Sequence, residues 1–128
     1  MTKPFVSDNE DKLSKLKEFI RTSDNIVFFG GAGVSTESNI PDFRSSTGLY
    51  KTNNTLKYSP EEILSHSFFM SHTKEFYDYY KNQMLYPDAK PNDAHIALAK
   101  LEEEGKLKAI ITQYIDNLHQ MAGSKEVL

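Results

Sequence analysis

The sequence predicts an α/β fold in which parallel strands are flanked by helices, and three observations carry that expectation. Residues 25–29 form a short apolar run rich in β-branched and aromatic side chains, as in a strand covered on both faces, and residues 107–112 read as a second buried strand. The stretches around them repeat their apolar residues at helical spacing. Each run also leads into a polar loop, so the loops gather at the carboxyl ends of the strands, the edge where such sheets bind ligands.

Each element has its own local reason. Leu13, Leu16, Phe19 and Ile20 recur at spacings of three and four with lysines between them, which predicts an amphipathic helix over residues 11–21 lying against a core. Residues 25–29 then form the first strand, ended by glycine. Residues 30–50 mix Gly, Ser, Pro, Asn and Asp with short apolar pieces and read as a long loop with at most one helical turn. A loop of that length in a small domain is often functional. Ser59, Pro60 and Glu62 form a capping box that starts the next helix. Residues 67–86 are crowded with Phe68, Phe69, Met70, Phe76, Tyr77, Tyr79, Tyr80, Met84 and Leu85, which predicts a mostly buried helical segment. Ala94, Ala97, Leu98 and Leu101 mark a further helix ending near Gly105. Residues 107–112 are the second strand, 116–122 start another helix, and Val127 with Leu128 opens a third strand. A sheet this narrow, stopping at the apolar start of a strand, predicts a truncated unit whose open edge invites pairing with another chain.

Composition removes several function classes. With 15 basic against 18 acidic residues and no cationic cluster, nucleic acid is disfavoured as a partner. The absence of cysteine excludes a disulfide framework, a thiolate nucleophile and a cysteine-ligated zinc site within these residues. No apolar run is long enough for a signal peptide or a membrane span, and the expected location is cytoplasmic.

The chemistry-bearing residues begin with Gly30-Gly31-Ala32-Gly33, directly after the first strand. Glycines there let backbone N–H groups approach a phosphate closely, although Thr36 stands at the third glycine position of the dinucleotide fingerprint. The run from Gly31 through Val34, Ser35, Thr36, Glu37, Ser38, Asn39, Ile40, Pro41 and Asp42 to Phe43 and Arg44 closely resembles the first signature of the sirtuins, the NAD-dependent protein lysine deacylases. Thr112, Gln113, Tyr114, Ile115, Asp116, Asn117, Leu118 and His119, followed by Ala122-Gly123, resemble the second. Pro91, Asn92, His95 and Leu98 fit the helix between the two, so the resemblance covers nearly the whole chain and is closest to bacterial members.

The resemblance implies a partial Rossmann-like parallel sheet with flanking helices, with residues 1–128 as the N-terminal part of an NAD-binding domain. NAD is the implied cofactor, and an acyl-lysine protein is the substrate of the completed enzyme. The implied cofactor set is Gly31, Ala32, Gly33, Thr36, Asp42, Phe43, Arg44, Gln113, Ile115 and Asp116. Ala32 and Thr36 line the phosphates, Phe43 and Arg44 belong to the cofactor loop, Gln113 contacts the nicotinamide ribose, and Ile115 with Asp116 faces the carboxamide. The family's general-base histidine and its four-cysteine zinc module lie beyond Leu128, so no catalytic residue and no metal site is assigned here and the chain is expected to be inactive alone.

Plainer readings stand beside these. Asp116 can serve as a helix cap, Arg44 as a solvated loop cation and Phe43 as a loop anchor. His95 and His119 read as packing residues, and His66 and His72 have no partners spaced for a metal. Tyr114 replaces the asparagine of the family motif, Asn117 stands where glycine is frequent, and Gly30 where threonine is common. Two alternative functions follow: a non-catalytic module that binds NAD or ADP-ribose, and an interaction protein that pairs through its open sheet edge.

Overall fold

The computed structural model describes residues 5–52 and 57–128, beginning with an 18-residue helix, α1 (Phe5–Thr22), that leads into strand β1 (Ile26–Gly30). The end of α1 is fixed by Lys106, whose ammonium donates to the carbonyls of Ile20, Arg21 and Ser23 at 3.1–3.2 Å. A cation at that end satisfies carbonyls that the helix leaves without partners. The expected apolar stripe exists, but Leu13, Leu16 and Phe19 are each more than half exposed, so the expectation that it lies against a core is not met among the described residues. Helical spacing fixes which side chains share a face and supplies nothing to cover it.

β1 pairs in parallel with β2 (Leu107–Thr112), with Phe28 opposite Ile110 and Gly30 opposite Thr112. The end of the chain adds to the other edge of β2. Ile110 N donates to Glu126 O at 2.8 Å, Leu128 N to Ile110 O at 2.8 Å, and Thr112 N to Leu128 O at 2.9 Å, with Val127 bridged to Ile110 in parallel. The strand start expected at Val127 is therefore present, and β2 is central. Helices α6 (Asp93–Glu103) and α7 (Leu118–Ala122) pack on each other, and α6 packs on β2. Leu107, Ile110, Leu118 and His95 are buried. The other face of the sheet is open: Val27 is 55% and Phe29 65% exposed, with Ile111 beside them. Burial on both faces, expected of residues 25–29, is thus corrected to burial on one.

Between the strands lie a 3-10 helix (Ala32–Ser38) and four short α-helices, α2 (Leu49–Thr52), α3 (Pro60–Ile63), α4 (His66–Ser71) and α5 (Thr73–Tyr79), the last running into a π-helical turn (Tyr80–Met84). The predicted capping box starts α3: Ser59 Oγ accepts from Glu62 N at 3.2 Å, and Glu62 Oε2 accepts from Ser59 N at 3.0 Å. Ile63, Phe68 and Tyr79 form a small core with Tyr58, Leu64, Phe76 and Met84 around it. The expected mostly buried segment is only half so, because the chain breaks at His72 and leaves Met70, Tyr77 and Leu85 exposed. No helix among the described residues is long and apolar enough to cross a membrane.

Candidate functional site

The end of β1 turns at once into the 3-10 helix, with Gly31 in extended conformation as its N-cap and no side chain bonded to the cap. The amides of Ala32 and Gly33 sit at the first two helical positions, where no intrahelical acceptor exists. Neither Gly31 nor Gly33 has a positive φ, so their value is space. A Cβ at Gly33 would meet nothing within 4 Å, and one at Gly31 only Gln113 Oε1 at 3.8 Å. The glycine turn therefore borders open space, with no side chain of its own to fill it.

That volume is a cavity of about 270 Å³. Gly31, Ala32 and Gly33 form one wall, Asp42, Phe43 and Arg44 a second, and Gln113 with Tyr114 the third. The second wall is held by backbone bonds that close the loop on itself: Leu49 N to Asp42 O at 2.7 Å and Tyr50 N to Phe43 O at 2.9 Å. Gly48 permits the closure, since a Cβ there would lie 2.7 Å from both Asp42 Oδ1 and the Phe43 carbonyl. Phe43 packs on Tyr50 with ring centres 5.3 Å apart, and the Arg44 guanidinium lies 5.9 Å above the same tyrosine ring. Both plainer readings of these two residues thus have a structural basis: Phe43 anchors the loop and Arg44 remains exposed.

Ile115 and Asp116 line a second cavity of about 240 Å³, with Ile40, Tyr86 and Pro87 among its other walls. One Asp116 oxygen accepts from Leu118 N at 3.0 Å, as the cap reading predicts, and the other accepts from the hydroxyl of buried Ser35. The carboxylate so ties the 3-10 helix to the start of α7 while still bordering the cavity. Thr36 lines neither volume; its hydroxyl donates back to Gly33 O at 2.9 Å.

His95 and His119 are buried against each other, ring centres 4.8 Å apart. His95 Nδ1 accepts from Asn92 N at 3.1 Å, which places the ring proton on Nε2, an atom without a partner among the described residues. Burial lowers the pKa of both imidazoles; His119 depresses His95 further, while the Asp116 charge opposes the shift in each. Tyr114 is pushed up to about 12, by burial first and then by the negative charges of Asp116, Tyr86 and Asp42. Its phenol is therefore a neutral hydrogen-bond donor at ordinary pH.

A sequence model of the Sir2 family matches residues 31–128. The chain belongs to the Sir2 family. An NAD-dependent protein deacetylase of Clostridium tetani is 69% identical over 118 residues, covering 92% of this chain and 48% of that protein. A solved Sir2 enzyme superposes with a TM-score of 0.81 at 44% identity, over 93% of this chain and 45% of its own. A variant of a Sir2 homologue in complex with ADP-ribose gives a TM-score of 0.78 at 40% identity, over 89% and 44%. The chain spans about half the length of the curated relatives it matches.

Four residues of this Sir2 chain matter to the site without having been assigned to it from sequence. Ser35 holds Asp116, and Gly48 closes the loop. Asn92 caps α6 through Oδ1 while its Nδ2 donates to Val34 O at 2.8 Å and Ser38 Oγ at 3.1 Å, clamping the 3-10 helix. Tyr114, noted only as a departure from the family motif, is a cavity wall. For Ser35, Asn92 and Tyr114 the motif positions are visible signals, although Ser35's partner lies 81 residues away; the role of Gly48 lies in loop geometry.

Proposed function

We propose that residues 1–128 form the N-terminal part of a Rossmann-like NAD-binding domain of a protein lysine deacylase, holding the phosphate and nicotinamide portions of NAD without completing deacylation alone. The observation that carries this reading is the convergence of Gly31, Ala32, Gly33, Asp42, Phe43, Arg44 and Gln113 on one cavity, from three segments as far apart as residues 31 and 113. The residues fit the ligand. Ala32 and Gly33, whose amides have no helical acceptors, line an open volume that Arg44 also borders, and the cavity lined by Ile115 and Asp116 carries a carboxylate able to accept the hydrogens of a carboxamide. NAD, when bound, supplies the ribose–nicotinamide bond that deacylation consumes. An acyl-lysine protein is the second substrate of the whole enzyme.

General-base help requires a titratable group within hydrogen-bond reach of the reacting hydroxyl. The four histidines do not offer one: His95 and His119 are buried away from the cavity, and His66 and His72 belong to α4 and its C-cap. Calorimetry with NAD and an assay on acetylated peptide test the reading together. The Cβ of Gly33→Val meets nothing within 4 Å, so the variant is expected to keep the circular dichroism spectrum and abolish a weak NAD heat. No NAD heat in the unmodified chain, or turnover matching a full-length deacetylase, would overturn it.

A second reading, a non-catalytic module for ADP-ribose, is favoured by one observation. Tyr114 puts a bulky, neutral, unpartnered phenol in the cavity wall where the family motif carries an asparagine.

A further inference from the structure

The two cavities share no lining residue, but the chain passes from the lining of one to the lining of the other in two places. Ile40 lines the second cavity whereas Asp42 and Phe43 line the glycine-bounded one; Gln113 and Tyr114 line the glycine-bounded one whereas Ile115 and Asp116 line the second. The change falls at Pro41 on one segment and between Tyr114 and Ile115 on the other, and Tyr114 is the last residue of its segment to line the glycine-bounded cavity. Its ring is braced edge-on against Phe43, with centres 6.4 Å apart at 68°, and Phe43 is braced in turn by Tyr50. Its hydroxyl is buried and has no partner among the described residues. Acidic groups flank it from both sides, Asp42 from the glycine-bounded cavity and Asp116 with Tyr86 from the second.

A braced ring at the junction is a wall, and a buried donor without an acceptor costs free energy that a ligand oxygen can recover. Building on the dinucleotide reading above, we propose that Tyr114 is a specificity-determining partition. It favours ADP-ribose, whose terminal ribose stops on the glycine-bounded side and accepts the phenol hydrogen, over NAD, whose nicotinamide has to pass the ring into the second cavity. A phenol is neutral at ordinary pH and suits the donor role; burial first, and then the nearby Asp116, raise its pKa further.

Calorimetry of ADP-ribose and NAD against the full chain, Tyr114→Phe and Tyr114→Asn tests this. The unmodified chain is expected to bind ADP-ribose about tenfold or more tighter than NAD, the scale of losing one well-made contact. Tyr114→Phe keeps the wall and removes the donor, so ADP-ribose weakens about two- to tenfold, the net worth of one hydrogen bond, and the preference persists. Tyr114→Asn removes the wall and brings NAD within about threefold of ADP-ribose. If NAD and ADP-ribose bind equally to the unmodified chain, or Tyr114→Asn leaves the preference intact, the partition is overturned while the dinucleotide reading stands. If neither ligand binds any of the three proteins, the dinucleotide reading falls and takes the partition with it.

Discussion

Ser35→Ala isolates the contact that joins the two halves of the site. The Ser35 hydroxyl is buried and donates to one oxygen of Asp116, 81 residues away, while the other oxygen serves Leu118 N. Removing the hydroxyl leaves a half-buried carboxylate oxygen without its donor. A hydrogen bond to a charged group contributes about 1.5–3 kcal/mol, and partial solvent access of Asp116 puts the expected loss near the lower end, about 1.5–2 kcal/mol. For a chain of this length that is a fall in Tm of about 5–10 °C. Urea unfolding monitored by circular dichroism gives the loss directly, and Thr36→Ala, whose exposed hydroxyl donates only to a backbone carbonyl three residues away, is the control expected within about 0.5 kcal/mol of the parent. A double-mutant cycle with Asp116→Ala should show coupling of at least about 1 kcal/mol. Additive losses, or a Ser35→Ala protein as stable as the control, would refute the reasoning that this pair joins the glycine turn to the second strand's loop.

Other perturbations follow from the same geometry. Because burial lowers the pKa of His95 and His119, the unfolded chain binds more protons than the folded one as pH drops below about 6.5. Their contribution to stability is thus present above that pH and lost as acid is added; urea midpoints that stay level from pH 7.5 to 5.5 would contradict this. Gly48→Ala forces a Cβ into the Asp42 carboxylate and the Phe43 carbonyl, so the loop opens at a cost of about 1–3 kcal/mol, and a crystal structure of the variant with the bonds from Leu49 N and Tyr50 N unchanged would refute it. Glu102 accepts from Lys125 N and Glu126 N, hence Glu102→Ala should speed hydrogen exchange at Leu128 and Ile110 several-fold, and unchanged protection would count against it. Phe29→Lys lies on the open sheet face and is expected to reduce self-association in light scattering with little loss of stability; a strictly monomeric parent protein would refute that.

Much of the secondary structure was legible because local physics fixes it. The run 107–112 is a strand with those bounds, and the Ser59 capping box forms as its residue types require. Coverage was not legible. Leu13, Leu16 and Phe19 share a helix face, and Val27 and Phe29 a sheet face, whether or not anything packs there. Residues 30–50, mixing Gly, Ser, Pro, Asn and Asp with short apolar pieces, read as a long loop with one helical turn at most, yet seven of them, Ala32–Ser38, form a 3-10 helix that the Asn92 clamp holds. In the site, resemblance to two signatures named residues that meet in space, but which cavity each faces depends on tertiary contacts such as Ser35 to Asp116. Asp116 was offered as either a cap or a ligand acceptor; its position on Leu118 N and at a cavity wall makes those roles compatible.

The Asn92 amide gives the site a thermodynamic reciprocity. One side chain belongs at once to the first turn of α6 and, through Val34 O and Ser38 Oγ, to the turn whose amides face the cavity. If an anion orders the 3-10 helix as proposed, part of that ordering is shared with the first turn of α6, and loosening that turn is expected to weaken affinity at the glycines. A substitution at the first turn of α6 is thus expected to reach the glycine turn through one side chain, without any change in the residues that line the cavity.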